Sequence, residues 1–371
     1  MGDDIPVYEV VERVTQWRSQ GRDVLLARVV SMVGLSSRTP GEVAAFTPGE
    51  PIAGRILSGS ADRPLAELAT ETAAGGFTRL AELEVGDQAA AAAGLSCGGR
   101  ARVLFQRADD IPAAAWAMFV AREPVCLVTD IAGDQLGRTS WVGLNPAAAN
   151  GDAARHPEDV IRLFGRGITD TAVLVLPAEE ATDVAEAGAT PVEDTEAAAI
   201  EVLATEVLVA ACWPTPHLLV LGEGVLADAL GQVAAVLGWT IDVTAALGMA
   251  RTGAAGLTRA DALVVLSHDV ELSGAVMAAG LAGAAGYVGA LGSRRTQAAR
   301  AAWLDANGVS PDAVAQIRGP AGLDVGARTP AEIAVAILAE VLAVRSGAAG
   351  GPLRDRPGPV HPDGLHTPPQ R

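Results

Sequence analysis

The apolar run His217 to Leu221 leads directly into Gly222-Glu223-Gly224-Val225-Leu226-Ala227, and a helically spaced apolar stretch then continues to Gly238. This G-x-G-x-x-A pattern between a strand and a helix constrains the chain more than any other feature it carries. Glycine lets a backbone turn tightly and approach a pyrophosphate, while the helix N-terminus supplies free N–H groups and partial positive charge. Three further apolar runs, Trp239 to Thr244, Ala262 to Leu266 and Gly286 to Leu291, alternate with helical segments. Such alternation means parallel strands joined by crossover helices, so residues 213–345 are expected to form a Rossmann-like, doubly wound parallel-sheet domain. Its last helix is marked by Thr329 as N-cap, Pro330 at the first helical position and Glu332 completing a capping box before an apolar run to Val344.

Trp213-Pro214-Thr215-Pro216 cannot continue a helix and sets the expected boundary. Residues 1–212 are expected to form an N-terminal mixed α/β domain. Val7, Val10, Val11, Val14 and Trp17 have helical spacing, and Val24 to Val33, Arg100 to Gln106 and Pro124 to Ile131 read as strands. Gly34 to Gly41 and Ser58 to Pro64 read as loops or a pocket rim, and an Ala-rich helix is predicted over Thr195 to Ala211. Cys126 then falls in a strand and Cys212 at a helix end, both as small buried apolar residues. The Gly, Pro and Asp content of residues 346–371 predicts a disordered tail, in which His361 and His366 are solvated.

The charge is −17 and all 27 basic residues are arginine. Without lysine there is no P-loop phosphate ligand, no Schiff-base amine and no short-chain-dehydrogenase lysine. The acidity argues against nucleic acid as a partner. Asp3, Asp4, Glu9 and Glu12 stand where a signal peptide would need basic then apolar residues, so a cytoplasmic protein is expected. Leu272 to Ser293 is uncharged but rich in Gly and Ala, which suits a buried helix-turn-strand better than a membrane span.

Ligand-contacting residues of open α/β sheets gather at the carboxyl edge. The candidates there are Gly222 and Gly224; His268 and Asp269 after the Ala262 strand; and Gly292, Ser293, Arg294 and Arg295, a glycine turn with two guanidiniums suited to a phosphate. Asp324 and Arg328, before the final helix, are candidates that could equally pair with each other. In the first domain Cys97, Gly98 and Gly99 place a thiol on a glycine turn close to Arg100 and Arg102, a setting that favours the metal-seeking thiolate as much as a small residue at a bulge.

Together, Tyr287 to Arg295, Gly322 to Pro330 and the Glu332 to Glu340 helix resemble the Rossmann-domain signature of the XdhC/CoxI family. Ser37-Arg38-Thr39-Pro40-Gly41, Ala53-Gly54-Arg55 with Ser58-Gly59, and Gly94 to Arg100 agree more loosely. The resemblance implies a cofactor chaperone rather than a catalyst. Such a protein binds molybdenum cofactor (molybdopterin), protects it during sulfuration and passes it to an apo molybdenum hydroxylase of the xanthine or carbon monoxide dehydrogenase type. A cofactor sulfurase and a second copy of the chain are the further implied partners, and Cys97 is the implied metal contact. The family's Ser-Gly-Gly-Cys is here Ser58-Gly59-Ser60-Ala61, and the acidic residue ending the second Rossmann strand is here Ala245. Two other readings stay open: an NAD(P)-binding oxidoreductase resting on Gly222 to Ala227 and His268, and a scaffold that only contacts a partner enzyme.

Overall fold

The computed structural model describes residues 7–34, 42–76, 78–93, 97–144, 158–176 and 205–355. In the first half the elements are α1 (Val7–Ser19), β1 (Leu25–Val33), β2 (Val43–Phe46), β3 (Ala53–Gly54), α2 (Asp62–Gly75), β4 (Arg79–Val85), α3 (Asp87–Ala92), β5 (Gly99–Arg107), α4 (Ala113–Val120), β6 (Val125–Asp130), β7 (Thr139–Gly143), α5 (Glu158–Phe164), β8 (Asp170–Leu176) and β9 (Thr205–Cys212). They build two antiparallel sheets, of order β3-β2-β1-β5-β4 and β7-β6-β9-β8.

Strand alternation explains how the layers stack. Along β1, Leu25, Ala27 and Val29 pack with Leu65 and Ala69 of α2, whereas Leu26 packs with Leu127 and Ala210 and Val30 with Ile131 and Leu208. The two sheets therefore lie face to face, with α1 and α4 closing one side through Val10, Val14, Trp116 and Phe119. The outer face of the second sheet, through Cys126, Val207 and Val209, packs on Val160 and Phe164 of α5.

The second half comprises β10 (His217–Leu221), α6 (Val225–Val236), β11 (Thr240–Thr244), α7 (Leu247–Ala255), β12 (Ala262–Val265), α8 (Val270–Ala282), β13 (Tyr287–Ala290), α9 (Arg294–Ala306), α10 (Pro311–Val314) and α11 (Pro330–Ser346). Its parallel sheet has the order β11-β10-β12-β13. Leu218, Val220 and Val264 meet α6 and α11 on one face, and Leu219, Leu263 and Val265 meet α7, α8 and α9 on the other. The fold is α/β with a doubly wound parallel sheet in the C-terminal part, as the residue pattern predicts. The capping box of Thr329 and Glu332 is present, and the Leu272 to Ser293 stretch is a helix followed by β13. No helix among the described residues is long and apolar enough to cross a membrane.

The Ala-rich helix predicted over Thr195 to Ala211 is corrected from Thr205 onward, where the chain is β9. Its residues from Val207 to Cys212 are all buried, and it pairs with β6 on one side and β8 on the other. Pairing on both edges and burial on both faces override the helix propensity of its alanines. Cys212 thus ends a strand, not a helix. Residues 195–204, the 35–41 part of the first turn-rich segment, 94–96, His361 and His366 lie outside the described residues, as does the tail beyond 355.

The halves dock at the amino edge of the parallel sheet. Ala260 is buried in one cluster with Cys126, Val209 and Trp213. Asp261, 2% exposed, accepts from His217 N at 2.9 Å, Thr258 N at 2.8 Å and Thr258 Oγ1 at 2.9 Å. Arg122 Nη2 lies 3.5 Å from its carboxylate and donates to Thr215 O at 2.7 Å. From the end of α11, Arg345 Nη2 donates to Gly167 O at 2.8 Å, an approach so close that a Cβ on Gly167 would stand 2.3 Å from the Arg345 carbonyl oxygen. With the first half held there, the carboxyl edge of the sheet faces away from it.

Candidate functional site

At the carboxyl edge, β10 runs into Gly222 with φ +130° and Gly224 with φ +103°. A Cβ on Gly222 would stand 2.9 Å from the Leu266 Cβ, so glycine is what lets this turn pack against the neighbouring strand end. Around Gly224 nothing lies within 4 Å of where a Cβ would be. Its backbone, the N-cap of α6, is open. Since β10 and β12 are adjacent while β11 lies on the far side of β10, the strand order reverses here and leaves a crevice outside the carboxyl ends.

The next two loops carry their candidates to the same edge. Asp269 is the N-cap of α8, its Oδ1 accepting from Leu272 N at 2.9 Å, so this carboxylate has a structural task. His268 is exposed and has no hydrogen-bond partner among the described residues. Ser293 caps α9, its Oγ accepting from Thr296 N at 3.2 Å. Arg294 and Arg295, the first two residues of α9, are exposed and form no ion pair among the described residues. Two unpaired guanidiniums at a helix N-terminus oppose the dipole, an arrangement that an anionic ligand would relieve.

Two side chains that the sequence reading missed, one buried and one half-buried, hold these loops. Arg300, 1% exposed, donates from Nη1 to Leu291 O at 2.6 Å, from Nη2 to Ser267 O at 2.5 Å and from Nε to Ser273 Oγ at 3.0 Å, tying the loops after β12 and β13 together. Its signal was a charged residue between Gln297 and Leu304 on a helix stripe that should be apolar. Glu340 Oε2 accepts from Tyr287 Oη at 2.6 Å and from Gly322 N at 2.8 Å. Burial, reinforced by that bond, pushes the Tyr287 hydroxyl far up. Gly322 opens the loop of Asp324 and Arg328, which lies beside β13 because Ala321 N bonds Ala290 O at 3.0 Å. Asp324 and Arg328 are both exposed and do not pair with each other. Asp242, with its carboxylate 3.4 Å from His217 Nε2, is drawn toward the first strand's amino end, and Ala245 leaves the end of β11 without an acid.

Cys97, Gly98 and Gly99 are elsewhere. Their turn begins β5 and abuts the end of β1: Cys97 Sγ donates to Gly34 O at 2.6 Å. A Cβ on Gly98 would meet Val85 O at 2.3 Å, and its N–H is held by Asp87 Oδ1 at 2.9 Å. Arg102, expected beside the thiol, instead lies 3.6 Å from Glu206 at the start of β9. The Rossmann half attaches at the other end of β9, so the thiol and the carboxyl-edge loops lie on opposite sides of the junction between the halves. Among the described residues no group of three His, Cys, Asp or Glu side chains could hold a metal ion; Cys97 would contact one as a single ligand.

Residues 218–341 match the XdhC Rossmann domain, and residues 17–84 match the XdhC and CoxI family. The chain belongs to the XdhC and CoxI family. Among known proteins, this XdhC/CoxI member is 39% identical over 74 residues to the uncharacterized protein YqeB of Escherichia coli (strain K12), which covers 20% of this chain and 13% of YqeB. It thus spans about an eighth of that relative. A solved structure from Bacillus halodurans, described as a xanthine dehydrogenase, covers 91% of this chain and 95% of its own at 16% identity with a TM-score of 0.46.

Proposed function

We propose that this protein is an accessory factor for a molybdenum hydroxylase of the xanthine or carbon monoxide dehydrogenase type, one that binds molybdenum cofactor, supports its sulfuration and passes it to the apo-enzyme with a sulfurase as second partner. Family membership supports the class. The observation that carries the site is the unpaired Arg294 and Arg295 pair at the open amino end of α9, beside Gly292 and on the same carboxyl edge as Gly222 and Gly224. Guanidiniums bind phosphate bidentately, and the pterin of the cofactor carries a phosphate. A lone soft sulfur at Cys97 suits the metal end of such a ligand, but from the opposite side of the junction, so the two sites are tested separately.

The test is retention after gel filtration of the purified chain incubated with molybdenum cofactor, NAD or NADP. The cofactor is expected to be retained. Replacing both Arg294 and Arg295 with Gln should weaken retention by roughly tenfold or more while leaving the melting temperature unchanged. Cys97→Ser keeps a donor for Gly34 O and should abolish loading of the client enzyme. The open turn at Gly224 favours a second reading, an NAD(P)-dependent oxidoreductase. Retention of NAD or NADP without molybdenum cofactor would establish that reading instead.

A further inference from the structure

Between the two antiparallel sheets is a cavity of about 50 Å³ whose walls are apolar, among them Val14, Trp116, Phe119 and Leu127, and whose polar lining is Arg28 and Cys212. Arg28 projects from β1 into the space between the sheets and is 6% exposed. Its Nη2 donates to Gln106 Oε1 at 2.6 Å and to Thr129 Oγ1 at 2.8 Å. Nε and Nη1 have no partner, and no carboxylate among the described residues comes within ion-pair distance. A guanidinium has five N–H donors, so the three on Nε and Nη1 are unpaired in a side chain that lines the cavity.

The charge itself also lacks an answer. Burial lowers the Arg28 pKa only to about 10, leaving the group cationic at neutral pH. The Cys212 thiol is pushed up to about 12 by burial and is neutral there, so it supplies no countercharge. A buried charge without a partner is costly enough that a protein ordinarily supplies one.

We infer that this cavity binds one small monovalent anion of halide type, held by Nε and Nη1 of Arg28. The volume exceeds what a single water needs. The walls select among anions by chemistry: a phosphate or sulfate would bring four oxygens that Val, Trp, Phe and Leu cannot satisfy, whereas a weakly hydrated monoatomic ion asks for no further donors. The site is separate from the carboxyl-edge loops and does not rest on the function proposed for them.

Crystals of the full chain soaked in sodium bromide should show an anomalous bromine peak within hydrogen-bond distance of Arg28 Nε and Nη1. In solution, sodium bromide should raise the melting temperature by about 2–4 °C over sodium gluconate at equal ionic strength, because binding to the folded state alone stabilises it. Arg28→Met, an apolar chain of similar length, should melt identically in the two salts. An empty cavity in the anomalous map, or a wild-type melting temperature indifferent to the anion, would overturn the inference. If the Met variant does not fold, the crystal decides.

Discussion

Arg28 in the antiparallel half and Arg300 in the parallel half are both buried, and they are buried in opposite ways. Every nitrogen of Arg300 has an oxygen to bond, and two of those oxygens are carbonyls of Ser267 and Leu291 at the carboxyl edge. Arg28 bonds through one nitrogen and leaves two orphaned. A guanidinium bonded through all three nitrogens is a strut for the loops around it, whereas one bonded through a single nitrogen is a demand on whatever enters its cavity. The parallel half has used its buried charge to fix the geometry of a site, and the antiparallel half has left its own open.

The largest expected effect separates the two. Arg300→Met should cost about 3 kcal/mol, since it strands the carbonyls of Ser267 and Leu291 and the Ser273 hydroxyl; Arg28→Met, measured by urea denaturation in gluconate, should cost less, about 1 kcal/mol, because removing a poorly paired buried charge offsets the acceptor it strands on Gln106. Equal losses would erase the distinction. Asp261→Asn is expected to cost about 2 kcal/mol and, by weakening the junction that Arg122 and His217 share, to split one calorimetric transition into two, one for each half.

Alkali sharpens the contrast further, because the buried thiols, Cys126 and Cys212, both belong to the antiparallel half. Burial raises Cys126 well above its ordinary 9.0 and Cys212 to about 12. Below pH 9 both states hold these protons and stability is complete; above it the unfolded chain releases protons that the folded chain keeps, so stability falls as pH rises toward 12. The depressed Arg28 acts with the opposite sign, but only above about 10. Between pH 9 and 10 the loss should be on the order of 1 kcal/mol per thiol, and a Cys126→Ala, Cys212→Ala variant should show none of it in pH-resolved denaturation. Smallest is Thr329→Ala, which removes the N-cap acceptor for Glu332 N and should lower stability by about 1 kcal/mol or less without altering ligand retention.

The same contrast governs what could be read from the residues. In the parallel half each signal is local: a strand, its glycine turn and its helix are consecutive, so β10, α6 and the capped α11 follow from spacing, as do the loops that reach the carboxyl edge. In the antiparallel half the partners are remote. The residues of β9 read as a helix because nothing near Val207 announces that β6 and β8 will flank it. The bonding of Arg102 to Glu206, and the meeting of Arg28 with Thr129, are likewise invisible until the two sheets are stacked. Arg300 was legible in principle, as a charge on an apolar stripe, and Glu340 was not, since its partners Tyr287 and Gly322 come from other elements.

The pairing of Leu25 with Arg107 and of Val125 with Cys212 also sets an order of events during synthesis. Long loops must close before either antiparallel sheet gains its central hydrogen bonds, and such closure is slow compared with the formation of neighbouring strand and helix units. The second sheet cannot be completed until β9 has emerged, and β9 is followed at once by the Rossmann strands. The N-terminal half therefore waits longest with its apolar faces uncovered, while the last-made half can collapse as it appears. Nascent chains of this protein are expected to be most aggregation-prone in the interval before Cys212 leaves the ribosome.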